Sequence, residues 1–347
     1  MNTSSASGQV EFSGSKTKRW LILTFSYAVA AACLYWVFHG ISFHDWVESM
    51  RGVSWGWVLP AIGFDLLVYV FAGWEWQLLV QPVGRLSFRH AFQAVFASRF
   101  ANDVLPVHAG YIVRIFLTAR SSGCDIAPLI SSLLVERTFD VFWLVLGIGL
   151  TTLFFPLPHE VARAGVLLGA GLLASLALIA WLLARRRHPG PGRSQPNASR
   201  WKPIEKLSSF LDHLSQGLRE VGRPSVIAAA FGLSVVKLGC FCAAFLLLLR
   251  AYGFSFSVWV DLAVFLIAYA GISLPSTPAG IGVFQLICAA GLRFFGTPRL
   301  EASSFSLLAY IVLTVPLTIA GFFAAAQSGL TLTQVRREVA AWRTRAA

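Results

Sequence analysis

Several apolar runs of about 20 residues follow one another along this chain, each long enough to cross a hydrocarbon core of roughly 30 Å. They cover residues 20–38, 55–80, 126–155, 161–184, 225–249 and 303–328. Hydrophobic residues make up 56% of the 347-residue chain, charged residues only 13%, and mean hydropathy is +0.67. A soluble domain carries roughly a quarter charged residues. The fold expected is an all-α polytopic membrane protein.

Two further apolar regions are interrupted. Residues 92–100 and 112–119 are each too short to span, and between them lies a polar stretch, Arg99 to Arg114, broken by Pro106 and Gly110. Residues 261–274 and 280–294 flank a second break containing Pro275, Ser276, Thr277, Gly280 and Gly282. Both breaks contain Leu-Pro followed by Ala-Gly. Paired interruptions in corresponding halves of a membrane protein point to a binding site, because non-helical backbone is tolerated there only against protein or a water-filled cavity.

The net charge of +12 reflects basic loops on the cytoplasmic side of a membrane, so no nucleic-acid partner is expected. If residues 92–119 crossed once, the basic cluster from Arg185 to Arg193 would face outward. If both broken regions are hairpins, every basic cluster falls inside, with both termini cytoplasmic. The expected architecture is then about six full transmembrane helices plus two broken, re-entrant hairpins, related as an inverted repeat. Residues 1–19 form a polar N-terminus and 20–328 the membrane domain. Within that domain, the halves 20–184 and 223–328 are separated by a basic loop and amphipathic helix at 185–222. Residues 329–347 form a basic tail that, like the loops, meets anionic lipid headgroups.

Charge inside a bilayer costs at least about 2.5–3.5 kcal/mol per residue on insertion scales and marks a pair or a function. The candidates are Arg99, Asn102, Asp103, Arg114, Glu136, Arg137, Asp140 and Lys237, with Asp65 and Glu75 as buried partners or interfacial groups. Glu136 and Asp140 share a helix face at i, i+4 spacing. Three arginines and three carboxylates around the first break balance by simple count. The set can line a cavity or simply lock helices together. The five cysteines and seven histidines show no ligand spacing, so neither a metal nor a cofactor is expected.

Three motifs carry a resemblance: N-x-x-L-P-x-x-x-G-x-x-x-R at Asn102 to Arg114, E-R-x-x-D at Glu136 to Asp140, and P-x-x-P-x-G-x-G at Pro275 to Gly282. Together they resemble the lysylphosphatidylglycerol synthase transmembrane-region family, which includes the flippase half of the bacterial multiple peptide resistance factor. Two positions where the family commonly has Glu differ: Tyr111 follows the first Gly, and Gln285 follows the second Gly-x-Gly. Both changes remove negative charge that a cationic lysyl headgroup would want. The resemblance implies a multi-pass protein of the bacterial inner membrane that moves a phospholipid or lipid-linked intermediate by alternating access, and not an enzyme. An arginine among the cavity residues, which extend to Gln285, would meet the lipid phosphate bidentately. The alternative is a non-catalytic accessory subunit that anchors a lipid- or glycolipid-modifying enzyme; the protein partners expected are such an enzyme or further copies of the chain in a homo-oligomer. An intramembrane enzyme would have only Glu136 and Asp140 as its acid/base pair.

Overall fold

The computed structural model describes residues 13–104, 110–154, 159–184, 215, 217–219, 221–273 and 277–329. Every regular element in them is helical. Six helices have 26–29 residues: α1 (Ser13–Phe38), α3 (Trp55–Val80), α6 (Ile126–Phe154), α7 (His159–Ala184), α8 (Pro224–Tyr252) and α11 (Arg299–Gln327). At 1.5 Å per residue, each is about 40 Å long. By length and hydropathy alone α3, α8 and α11 qualify as spans. Helix α6 matches them in length but carries Glu136, Arg137 and Asp140 inside it.

Four shorter helices form two hairpins: α4 (Phe88–Val104) with α5 (Gly110–Ser122), and α9 (Val258–Ser273) with α10 (Val283–Phe294). A short helix, α2 (Phe43–Arg51), fills the first loop, and Ser42 caps it by accepting from the Asp45 N–H at 3.1 Å. The first hairpin corrects the sequence expectation in one respect. Its arms are longer, and Asn102 and Asp103, expected between the arms, lie with Arg99 within helix α4. A polar face on a helix needs no break when that face meets a cavity. Pro106, Pro275 and Ser276 fall outside the described residues, as do His108 and most of the amphipathic stretch 204–221. Of that stretch, Leu218 and Val221 are buried against Leu79, Val135 and Ala230.

The two halves interlock. Helices α3 and α8 run antiparallel: the Ser54 N–H donates to the Ala251 carbonyl at one end, and Leu79 packs near Ala230 at the other. The first arm of each hairpin packs on the closing helix of the other half, α4 on α11 and α9 on α6. Along α4 and α11 the register is set by Asp103 with Thr318 and by an edge contact of Phe100 with Phe322. This exchange is what an inverted repeat requires. Helix α1 packs on the second hairpin and α7 on α6.

The outer surface is apolar where that of a soluble protein would be charged. Leu59, Val166 and Leu167 are each more than 70% exposed, and Trp55, Trp57 and Phe323 also point outward. Charged side chains in the middle of the long helices, Glu75, Glu136 and Lys237 among them, point inward. That reversal is the signature of a lipid solvent, and the protein is an all-α membrane protein.

Candidate functional site

The residues of the first motif act locally before they act chemically. The Asn102 Oδ1 accepts the Gly110 N–H at 2.7 Å. It thereby satisfies a donor that the start of α5 leaves orphaned. Gly110 must lack a side chain, because a Cβ there would lie 2.0 Å from the Ser98 carbonyl oxygen. Asn102 and Gly110 thus clamp the two arms together, and one turn further along α5 Arg114 is aimed at α6. Gly110→Ala is expected to cost about 1–3 kcal/mol by overpacking. Loss of thermal stability in detergent would check this.

The second break is closed in a parallel way. The Gln285 Oε1 accepts the Gly282 N–H at 2.7 Å. Gly282 has φ +83°, and a Cβ there would lie 2.6 Å from the Ala30 carbonyl oxygen of α1. Gln285 is therefore a buried cap and not a cavity wall. Ala279, with φ 54°, holds the left-handed conformation without being glycine. Such backbone strain costs of order 1–3 kcal/mol and concentrates at functional sites. The Tyr310 hydroxyl donates to the Ala279 carbonyl, and the Thr277 hydroxyl to that of Ile281.

Between the two breaks lies a cavity of about 520 Å³. Of the sequence candidates, Arg99, Asn102, Arg114, Glu136, Arg137, Asp140, Lys237, Thr277 and Gly280 line it. Asp103 stands behind Arg99. Gly110, Gly282 and Gln285 shape the arms.

The charges form an alternating chain. Arg114 grips Glu136 with two bonds of 2.9 and 2.7 Å. Glu136 also pairs with Arg137 at 2.7 Å, and Arg137 pairs with Asp140 at 2.9 Å. Lys237 then bridges Asp140 at 2.9 Å and Glu75 at 2.7 Å. The chain holds three cations and three carboxylates and is neutral. Lys237 is its one member from the second half, so it ties α8 to α3 and α6.

Exposure separates the arginines. Arg114 is 3% exposed and Glu136 1%. Arg114 also stacks over the Trp76 ring at 4.0 Å, and the Trp76 indole donates to the Thr118 hydroxyl. Such a pair, almost fully buried and bonded through both terminal nitrogens of Arg114, locks α5 to α6. Arg137 is 37% exposed, towards the cavity it lines, and rests over the Tyr111 ring at 4.5 Å. Its guanidinium also donates to the Tyr111 hydroxyl at 2.9 Å. Arg99 pairs with Asp103 at 2.9 Å, and the Thr318 hydroxyl donates to the same carboxylate at 2.6 Å.

Sequence reasoning left Tyr111, Trp76, Tyr69 and Tyr310 out of the site. A tyrosine in an apolar span gives no signal of its own, because rings pack as walls everywhere in such a protein. Asp65 and Glu75 did give a signal, a carboxylate within a span, and both belong to this region. Asp65 lines the cavity and Glu75 ends the ion-pair chain.

A membrane protein with two antiparallel, interlocked halves, two interrupted hairpins and a charged cavity between them belongs to the class of inverted-repeat membrane folds. The sequence model of one family, described as Lysylphosphatidylglycerol synthase TM region, matches residues 23–321. The chain belongs to this membrane-embedded family. Comparison with curated proteins returns no match.

Proposed function

We propose that the protein moves a phospholipid or lipid-linked intermediate across the bacterial inner membrane by alternating access, without chemical change to the lipid. The observation that carries this reading is the cavity of about 520 Å³, in which the accessible guanidiniums of Arg99 and Arg137 face the junction of the two hairpins. That volume lies within the range of small-molecule sites. It suits a headgroup, while the acyl tails stay in the hydrocarbon. Arg137, held flat on Tyr111, already donates to Glu136, Asp140 and the Tyr111 hydroxyl, so a phosphate there takes over donors that these groups hold; its planar fork suits that exchange. Arg114 is not part of this reading, since it is 3% exposed and held by Glu136 on both terminal nitrogens.

Both termini face the cytoplasm in this proposal, and the basic segments rest on anionic headgroups of the inner leaflet. Homo-oligomers or a lipid-modifying enzyme are the partners that fit.

The test is reconstitution in liposomes with headgroup-labelled lipids. Hydrogen bonds to charged groups are worth about 1.5–3 kcal/mol. Arg99→Gln and Arg137→Gln should therefore each weaken translocation of an anionic lipid by roughly 10- to 100-fold, measured as label accessible to an impermeant quencher. No translocation above empty liposomes for any lipid of the native membrane would overturn the reading.

A further inference from the structure

The charged groups around the cavity do not balance. The chain from Arg114 to Glu75 is neutral, and Arg99 and Asp103 cancel each other. One carboxylate is left over among the described residues. It is Asp65, on α3, 2% exposed and lining the cavity. Its Oδ2 is buried and has no hydrogen-bond partner among the described residues. A lone carboxylate in a membrane interior is costly when ionised. A single positive charge brought to it removes that cost.

The surroundings select the kind of charge. Tyr69 on α3 and Arg99 on α4 act on Asp65, and Arg99 is shared with Asp103 on α4 and Tyr310 on α11. Tyr111 and Arg114 on α5 and Tyr269 on α9 line the same cavity. From α6 and α8, the groups facing the same cavity are Glu136, Arg137, Asp140 and Lys237, which are already paired with one another or with Arg114 and Glu75. Among the described residues there is no group of three His, Cys, Asp or Glu side chains placed to hold a metal ion. A metal cation also needs several oxygen ligands at once, whereas a proton needs one oxygen.

We infer that Asp65 is a proton-binding site of the cavity, and that a proton on it accompanies an anionic headgroup at Arg99. This rests on the translocator reading for the identity of the cargo, but the proton site itself does not. Arg99 is the cation that acts on Asp65. An anion drawing on Arg99 leaves Asp65 with less positive charge nearby and so favours its protonated form. By linkage, a proton on Asp65 then favours the anion equally. The step moves one proton onto one carboxylate oxygen and changes no other bond.

Infrared pH-difference spectroscopy on the purified full chain tests the site without knowledge of the cargo. A protonated-carboxyl band should appear and disappear as the pH is changed. Labelling with carbon-13 aspartate should shift it, and Asp65→Asn should abolish it. Asp261→Asn, which alters the separate pair with Arg250, should leave it unchanged. If Asp65→Asn does not fold, Asp65→Glu takes its place: its band should stay unshifted on labelling with carbon-13 aspartate. An unshifted band in the labelled wild type, a band that survives in Asp65→Asn, or one that moves when sodium replaces potassium would overturn the inference. If the band behaves as expected but the same preparation moves no lipid, the translocator reading fails and the proton site stands.

Discussion

Glu136→Gln is expected to destabilise the protein in detergent by about 3–5 kcal/mol, the cost of breaking a buried ion pair by removing one partner. Glu136 is the hinge of the charge chain, holding Arg114 through two bonds and Arg137 through a third. Glutamine offers one acceptor oxygen and no charge, so Arg114, almost fully buried, loses its counter-ion, and Arg137 keeps only Asp140. The double variant Arg114→Met with Glu136→Gln should recover part of the loss, because it removes the cation with least access to water. The five cysteines are free, and Cys240 and Cys288 are buried. A thiol-reactive dye that reports their exposure on heating measures each difference. Equal melting of Glu136→Gln and the wild type would show that the Arg114 pair is not what holds α5 against α6.

Lys237→Met should show a loss of similar size for a different reason. Lys237 carries no redundancy: its ammonium is the counter-ion of Glu75, which is fully buried, and a second partner of Asp140. Without it a carboxylate is stranded between α3 and α8, and the packing of the two halves is set against like charges. Removing one carboxylate as well restores balance, since the remaining chain from Arg114 to Asp140 is neutral. Lys237→Met with Glu75→Gln should therefore melt well above Lys237→Met alone. The same dye assay checks the order, and a double variant no more stable than the single one would refute the pairing.

Much of this was legible in the sequence. The six long helices and the two hairpins stand where the apolar runs and the Pro/Gly breaks place them, because satisfying the backbone in lipid is a local matter. Arg114, Glu136, Arg137 and Asp140 were legible as a set with Arg99 and Asp103, and Lys237 as a single charge, because charge in a span is conspicuous; the structure sets Arg99 and Asp103 apart as a pair and brings Lys237 in. Their partners were not. The bond of Lys237 to Glu75 joins positions 162 residues apart, and helical periodicity carries no information about register between separate helices. Gln285 and Tyr111 were misleading for a related reason. At each position an expected acid was missing, and the side chain present serves instead as a helix cap or as a platform for Arg137. Asn102 and Asp103 fell beyond the arm expected to end at residue 100, since a polar helix face and a loop look alike when the cavity is unseen.

By itself, then, the sequence determined the solvent, the helical class, the membrane-length segments and the two interruptions. Each depends on residues within one or two turns of one another and on their transfer from water to lipid. Only the tertiary structure decided which charges meet. It paired Arg114 with Glu136, tied the halves together through Lys237 and left Asp65 without a partner among the described residues. Ion pairing falls off with distance and depends on burial, and both are properties of helices brought together from opposite ends of the chain.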